Sequence, residues 1–135
     1  RWFVLRLAGI YGPGRHGLLD QVRAGEVAGR GATRLNLVYR DDICAAVWCA
    51  FGPPAALADE IFNVADDAAA RKSDIAAWLA PRLGVPKPRF SGDPVTGRRA
   101  AAPDRIVANE KIKATFGWVP SCPTFREGYE KILSR

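Results

Sequence analysis

Gly12-Pro13-Gly14-Arg15-His16-Gly17 fits the spacing G-x-G-x-x-G. Between a strand and a helix, that spacing lets backbone N–H groups approach the pyrophosphate of a dinucleotide. Trp2 to Leu7 is an apolar run ahead of the glycines, and Leu18, Leu19 and Val22 follow with helical spacing. Asp41 lies 29 residues past Gly12, near the end of a second apolar run and somewhat beyond the roughly 20 expected of a ribose-binding acid. Two features weigh against this reading. Pro13 and Arg15 crowd the turn, and Gly25 stops the following helix after about seven residues, too few for a full crossover. Asp41 and Asp42 are an adjacent carboxylate pair, the residue type of general acid–base work. Neighbours at a helix start point in different directions, so helix capping is the favoured role. Arg98 and Arg99 stand in the Gly- and Pro-rich stretch 91–104, where a planar guanidinium fork could close on a phosphate; a solvated loop is the alternative. His16, the single histidine, reads as a solvated loop residue. Cys44, Cys49 and Cys122 contain no C-x-x-C, which leaves no tightly spaced metal set. Cys44 and Cys49 read as small core residues of one helix, and unpaired thiols fit a reducing, cytoplasmic compartment.

The elements that must carry these residues alternate. Trp2–Leu7, Leu35–Tyr39 and Glu60–Val64 read as strands, with a further short one over Arg105–Ala108. Helices follow over 18–24, from Asp41 to Phe51, from a Ser73 cap to Gly84, from an Asn109 cap to Phe116, and from Thr124 onward. Ile43, Ala46, Val47, Ala50 and Phe51 recur at i, i+3, i+4, i+7 and i+8, which predicts a buried stripe. Pro81 should cost a hydrogen bond and bend its helix. Gly29 and Gly31 lie in a flexible connection, and 91–104 reads as the most mobile segment. Thr124-Phe125-Arg126-Glu127 is a capping box. Alternating strands and helices give an α/β class with few short strands. So few strands are thin for an independent parallel sheet, whose strands are ordinarily buried by neighbours on both faces.

The chain has 135 residues, 48% of them hydrophobic and 25% charged, as in ordinary globular domains. No apolar run reaches the roughly 18 residues of a membrane span. The net charge of +6 suits phosphorylated ligands, acidic surfaces or nucleic acid. The basic residues are scattered along the chain, which makes a nucleic-acid module the weakest of these readings. There is no Met, and the chain opens directly in a strand. The expectation is therefore a fragment whose front half is missing.

Four segments together carry a resemblance: VLRLAGIYGPGR, NLVYRDDICAAVWCAF, IFNVADD and ANEKIKATFGWVPSCPTFREGYEKIL. In this order the chain resembles the C-terminal portion of extended or atypical short-chain dehydrogenases/reductases, the NAD-dependent epimerase/dehydratase family. YRDD, NVADD and PTFREGY look closest to its YeeZ-like branch. The resemblance implies a Rossmann-type fold whose cofactor, NAD or NADP, is held mainly by an N-terminal half. It also implies that the glycine loop lies at the carboxyl end of a late strand, facing the nicotinamide and the substrate. On that basis Ala8, Gly9, Ile10 and Tyr11 would line the nicotinamide pocket. Tyr11, Arg15, Asn36, Tyr39, Arg98 and Arg99 would meet a small-molecule substrate such as a nucleotide sugar. Tyr39 stands where relatives often have His, and Leu37 where close relatives often have Arg. The implied partners are the chain's own N-terminal half and, for a full-length protein, a second copy.

The family's Tyr-x-x-x-Lys pair is not in this chain: Tyr11, Tyr39 and Tyr129 are followed four residues later by Arg15, Ile43 and Leu133. By itself the chain is expected to transfer no hydride. Two functions follow. One is the substrate-binding part of an NAD(P)-dependent epimerase, dehydratase or reductase. The other is a non-catalytic NAD(P)-binding regulator on the same fold.

Overall fold

The computed structural model describes residues 2–52, 57, 59–92 and 104–134. In chain order its elements are β1 (Phe3–Leu7), β2 (Gly9–Tyr11), α1 (Gly17–Ala24), β3 (Glu26–Val27), β4 (Arg34–Leu35), β5 (Leu37–Tyr39), α2 (Arg40–Cys49), β6 (Glu60–Val64), β7 (Ala70–Arg71), α3 (Lys72–Arg82), β8 (Arg89–Phe90), α4 (Glu110–Phe116) and α5 (Phe125–Leu133). The chain is mixed α/β, as the alternation of patterns predicts. It forms two compact units, one of residues 1–15, 36–69 and 106–135, the other of 16–35 and 70–105.

The first unit is built on parallel pairing. β1 runs beside β6, with Phe3 opposite Glu60 and Leu7 opposite Val64. One residue later the chain changes partner: the Ala8 N–H still reaches the Val64 carbonyl, the Gly9 N–H reaches that of Asn36, and β2 then pairs with β5. The strand predicted over 2–7 is β1, a further strand, β2, forms where a loop was expected, and the strand predicted over 35–39 divides into β4 and β5. Val38, Ala46, Phe62, Val64, Ile112 and Trp118 form the buried core, with Phe3, Leu5, Ala8, Ile10, Ile43 and Phe116 packed on it. The Phe62 and Phe116 rings lie 4.7 Å apart, in the tilted geometry aromatic pairs favour.

The predicted stripe on α2 is buried only at its first turns. Ala46 is fully covered, whereas Val47 is 41% exposed, and Phe51, just past the helix, 79%. Beside them Trp48 is 78% exposed and packs edge-on against Phe51. Trp2, Phe3, Leu5, Val47, Ala50 and Phe51 line an open apolar groove of about 420 Å³. Cys44 is exposed rather than in the core. Residues 104–108 form no strand; instead the Val107 N–H donates to Asn36 Oδ1 at 2.7 Å.

The second unit joins α1 to α3, burying Leu19 and Val22 of one helix and Ile75, Ala76, Leu79 and Ala80 of the other. β3 pairs with β8 in parallel, and β4 with β7 antiparallel. Gly25 ends α1 in the left-handed conformation, as read from its type. The connection over Gly29 and Gly31 is pinned rather than loose. Ser91 Oγ accepts from the Gly29 N–H, Lys72 Nζ donates to the Ala28 carbonyl, and the Ser73 N–H to that of Gly31. Ser73 sits inside α3, not at its cap, because Arg71 is the last non-helical residue. Pro81 falls in the last turn, and the helix ends one residue beyond it.

Charge divides with the fold. The second unit carries eleven Lys and Arg against five Asp and Glu; the first carries nine against nine. The whole excess of +6 belongs to one unit, although the basic residues look scattered along the sequence.

Candidate functional site

Open α/β sheets hold ligands outside the carboxyl ends of their parallel strands. In the first unit these ends are Leu7 of β1, Val64 of β6 and the β2–β5 pair that follows. Gly9 is exposed there, with Ala8, Ile10 and Asn36 half-buried around it. A Cβ on Gly9 would stand 2.9 Å from the Asn36 carbonyl, so glycine is needed for the two strands to approach. The N–H groups of Ala8 and Gly9 are both used within the sheet.

The glycine loop is closed on itself. The Gly12 N–H donates to the Arg15 carbonyl at 3.0 Å, and the Arg15 N–H returns the bond to Gly12 at 2.9 Å. Arg15 Nε donates to the Ile10 carbonyl, and a Cβ on Gly12 would press on Arg40 at 3.0 Å. An anion cradle needs such N–H groups turned outward. Here the Gly12 and Arg15 N–H groups are spent on each other and are not turned toward a ligand.

The two tyrosines are in the interior. Tyr11 is 3% exposed, with its ring 5.5 Å from Tyr39 and 5.0 Å from Tyr129. Its hydroxyl donates to the Thr124 carbonyl at 3.4 Å. Burial, aided by nearby Cys122 and Asp66, holds its phenol proton well above the ordinary range. Tyr39 is also buried, with Lys131 Nζ 5.3 Å from its ring centre and no hydrogen-bond partner for its hydroxyl among the described residues. Both side chains therefore belong to packing. Arg15 is exposed, and Asn36 spends its side-chain oxygen on the Val107 N–H. Arg98 and Arg99, with the stretch 93–103, lie outside the described residues.

The paired acids separate by role. Asp41 is exposed and, among the described residues, bonds only its neighbour, with Arg40 Nε at 3.0 Å. Asp42 is buried and caps nothing in its own helix. Its two oxygens accept the N–H groups of Ser121 at 2.7 Å and Cys122 at 3.0 Å, while its carbonyl accepts from Trp118 Nε1. It clasps the segment leading into α5. Asn109 likewise makes no cap bond; its buried amide donates to the Ala65 carbonyl at 2.8 Å and to Asp67 Oδ1 at 2.7 Å. These long-range roles leave no periodic signal in the sequence. Thr124 and Glu127 do form the predicted capping box.

Asp66 carries no signal in the sequence beyond its place after β6. It is 6% exposed, its Oδ1 accepts only a long 3.4 Å bond from the Ala68 N–H, and its Oδ2 has no partner among the described residues. Burial pushes its carboxyl up to about 7, with Asp67, Glu127 and Asp42 adding to the rise against the Ala68 N–H. Adjacent Asp67 moves the opposite way: its own partial burial is outweighed by Lys113 Nζ at 2.5 Å and by Asn109.

No family model matches the chain. Protein YeeZ of Escherichia coli K12 is 29% identical over 107 residues, which is 79% of this chain and 38% of YeeZ. A conserved protein of unknown function from Silicibacter pomeroyi superposes with a TM-score of 0.82 at 26% identity, covering 98% of this chain and 48% of its own. UDP-glucuronic acid 4-epimerase from Bacillus cereus, solved with UDP-glucuronic acid and NAD, superposes with a TM-score of 0.79 at 20% identity, covering 98% and 44%. Other solved epimerases and dehydratases, several with NAD bound, align comparably. The chain spans about four-tenths of the curated relative it matches and under half of these solved structures. Over nearly its whole length it has the Rossmann-like fold of one part of NAD-dependent nucleotide-sugar epimerases and dehydratases.

Proposed function

We propose that this chain is the C-terminal, substrate-side portion of an NAD(P)-dependent epimerase, dehydratase or reductase acting on a nucleotide sugar. The observation that supports it most is the alignment of 98% or 99% of the chain with under half of proteins solved with a nucleotide sugar, with NAD, or with both. The cofactor would accept and return a hydride at a sugar carbon. This chain would contribute the surface of Ala8, Gly9 and Ile10, with the Tyr11 backbone, beneath the nicotinamide ring. Arg15, Asn36, Arg98 and Arg99 would meet the substrate. Tyr39 would act through packing, since its side chain is buried. The proton-transferring tyrosine and its lysine would come from an N-terminal half, so the chain alone would be inactive; a homodimer would likewise form through that half.

The test is the coding sequence upstream of Arg1, followed by assays of the encoded protein. G-x-x-G-x-x-G with Tyr-x-x-x-Lys, and NAD(P)-dependent turnover of a UDP- or dTDP-sugar, supports the reading. The glycines without that pair, with cofactor binding but no turnover, favours the non-catalytic NAD(P)-binding protein. A start codon just before Arg1 overturns both. Salt-dependent binding of DNA or RNA would instead favour a nucleic-acid module.

A further inference from the structure

Four carboxylates gather where β6 meets the start of α5, and three of them are satisfied. Asp42 holds the N–H groups of Ser121 and Cys122. Asp67 holds Asn109 and Lys113. Glu127 holds the Thr124 N–H at 2.9 Å and its hydroxyl at 2.6 Å. Of the four, Asp66 alone has a buried oxygen without a partner among the described residues, and the residue is more than nine-tenths buried. The two nearby ammonium groups are engaged elsewhere, Lys113 on Asp67 and Lys131 on Ser121 Oγ. From β2 the facing group is the Tyr11 phenol, whose O–H is directed to the Thr124 carbonyl.

A buried anion with a missing donor and three anionic neighbours is costly; the neutral acid is not. The backbone around Asp66 is what seats α5. Its N–H donates to the Leu37 carbonyl at 2.7 Å, and the next N–H, of Asp67, to that of Pro123 at 2.8 Å. We propose that Asp66 is a protonation latch: its neutral carboxyl allows the turn after β6 to hold the C-terminal segment in place, and its ionisation loosens that segment.

The sign follows from the two states. Burial raises the folded carboxyl from its ordinary 3.8 to about 7. Below pH ~4 both states are protonated and the full contribution is present. Between there and pH ~7 only the unfolded chain releases the proton, so stability falls, by up to about tenfold in the folding constant per pH unit. Above ~7 the loss is complete and the dependence ends.

The experiment is urea unfolding of the 135-residue chain at pH 5, 6, 7 and 8, beside Asp66→Asn, together with the Asp66 carboxyl carbon resonance in the wild-type chain. The expected result is a folding constant that falls up to about 100-fold from pH 5 to 7 and then levels. Asp66→Asn should remove most of that fall, the carboxyl resonance should titrate near neutrality, and α5 amides should exchange faster above pH 7 than below 6 after correction for intrinsic rates. An equal slope in both proteins, or a resonance titrating below pH 5, overturns the latch. If Asp66→Asn does not fold, the wild-type resonance alone decides. The latch is independent of the nucleotide-sugar reading, and neither result depends on the other.

Discussion

Gly128→Ala reverses an ordinary expectation. Gly128 lies inside α5, where alanine is the better helix former by about 1 kcal/mol. The surroundings oppose it. A Cβ there would stand 2.5 Å from Tyr11 Cζ, 2.6 Å from Cε2 and closer still to the hydroxyl oxygen. The Tyr11 ring is buried and flanked by Tyr39 and Tyr129, so it cannot swing aside without moving two more rings. Relief needs a shift approaching an ångström in a packed interior, where overpacking costs about 1–3 kcal/mol and more when backbone must move. The clash should exceed the propensity gain, for a net loss of about 2 kcal/mol in urea unfolding. Tyr11→Phe in the Gly128→Ala background deletes the nearest atom and should recover about 1 kcal/mol of it, at the expense only of a long hydrogen bond to Thr124. A Gly128→Ala chain as stable as the wild type, or more stable, refutes the packing of Tyr11 beneath α5.

Further outcomes concern the C-terminal segment. Asp42→Ala should cost about 3 kcal/mol, because it strands the N–H groups of Ser121 and Cys122. Asp41→Ala, one residue away, removes only an exposed pair with Arg40 and should stay within about 0.5 kcal/mol; equal losses in chemical denaturation would contradict the division of roles. Thr124→Ala should cost about 1 kcal/mol through the lost cap, read as a lower urea midpoint at unchanged slope. Glu127 is held below its usual range chiefly by the Thr124 hydroxyl, so its share of stability is present at neutral pH and lost on acidification; Thr124→Ala should raise its titration midpoint by NMR.

The sequence alone determined the class, the helices and their stops. Gly25 and Gly117 take the left-handed conformation that their type permits, and the Thr124–Glu127 box closes α5, since these depend on neighbours within one turn. Tertiary structure decided everything that depends on residues far apart. Whether Asp42 caps a helix or clasps a loop turns on Ser121 and Cys122, about 80 positions later, and no local rule reaches that far. The α2 stripe has the right period, but Val47 and Phe51 stay exposed because among the described residues no element covers that side. Tyr11 and Tyr39 look like ligand contacts by type, and packing under α5 turned them inward. The basic residues look evenly spread along the chain. Only the way it folds back on itself gathers the whole excess charge into one unit, because a net charge is summed over space and not over sequence.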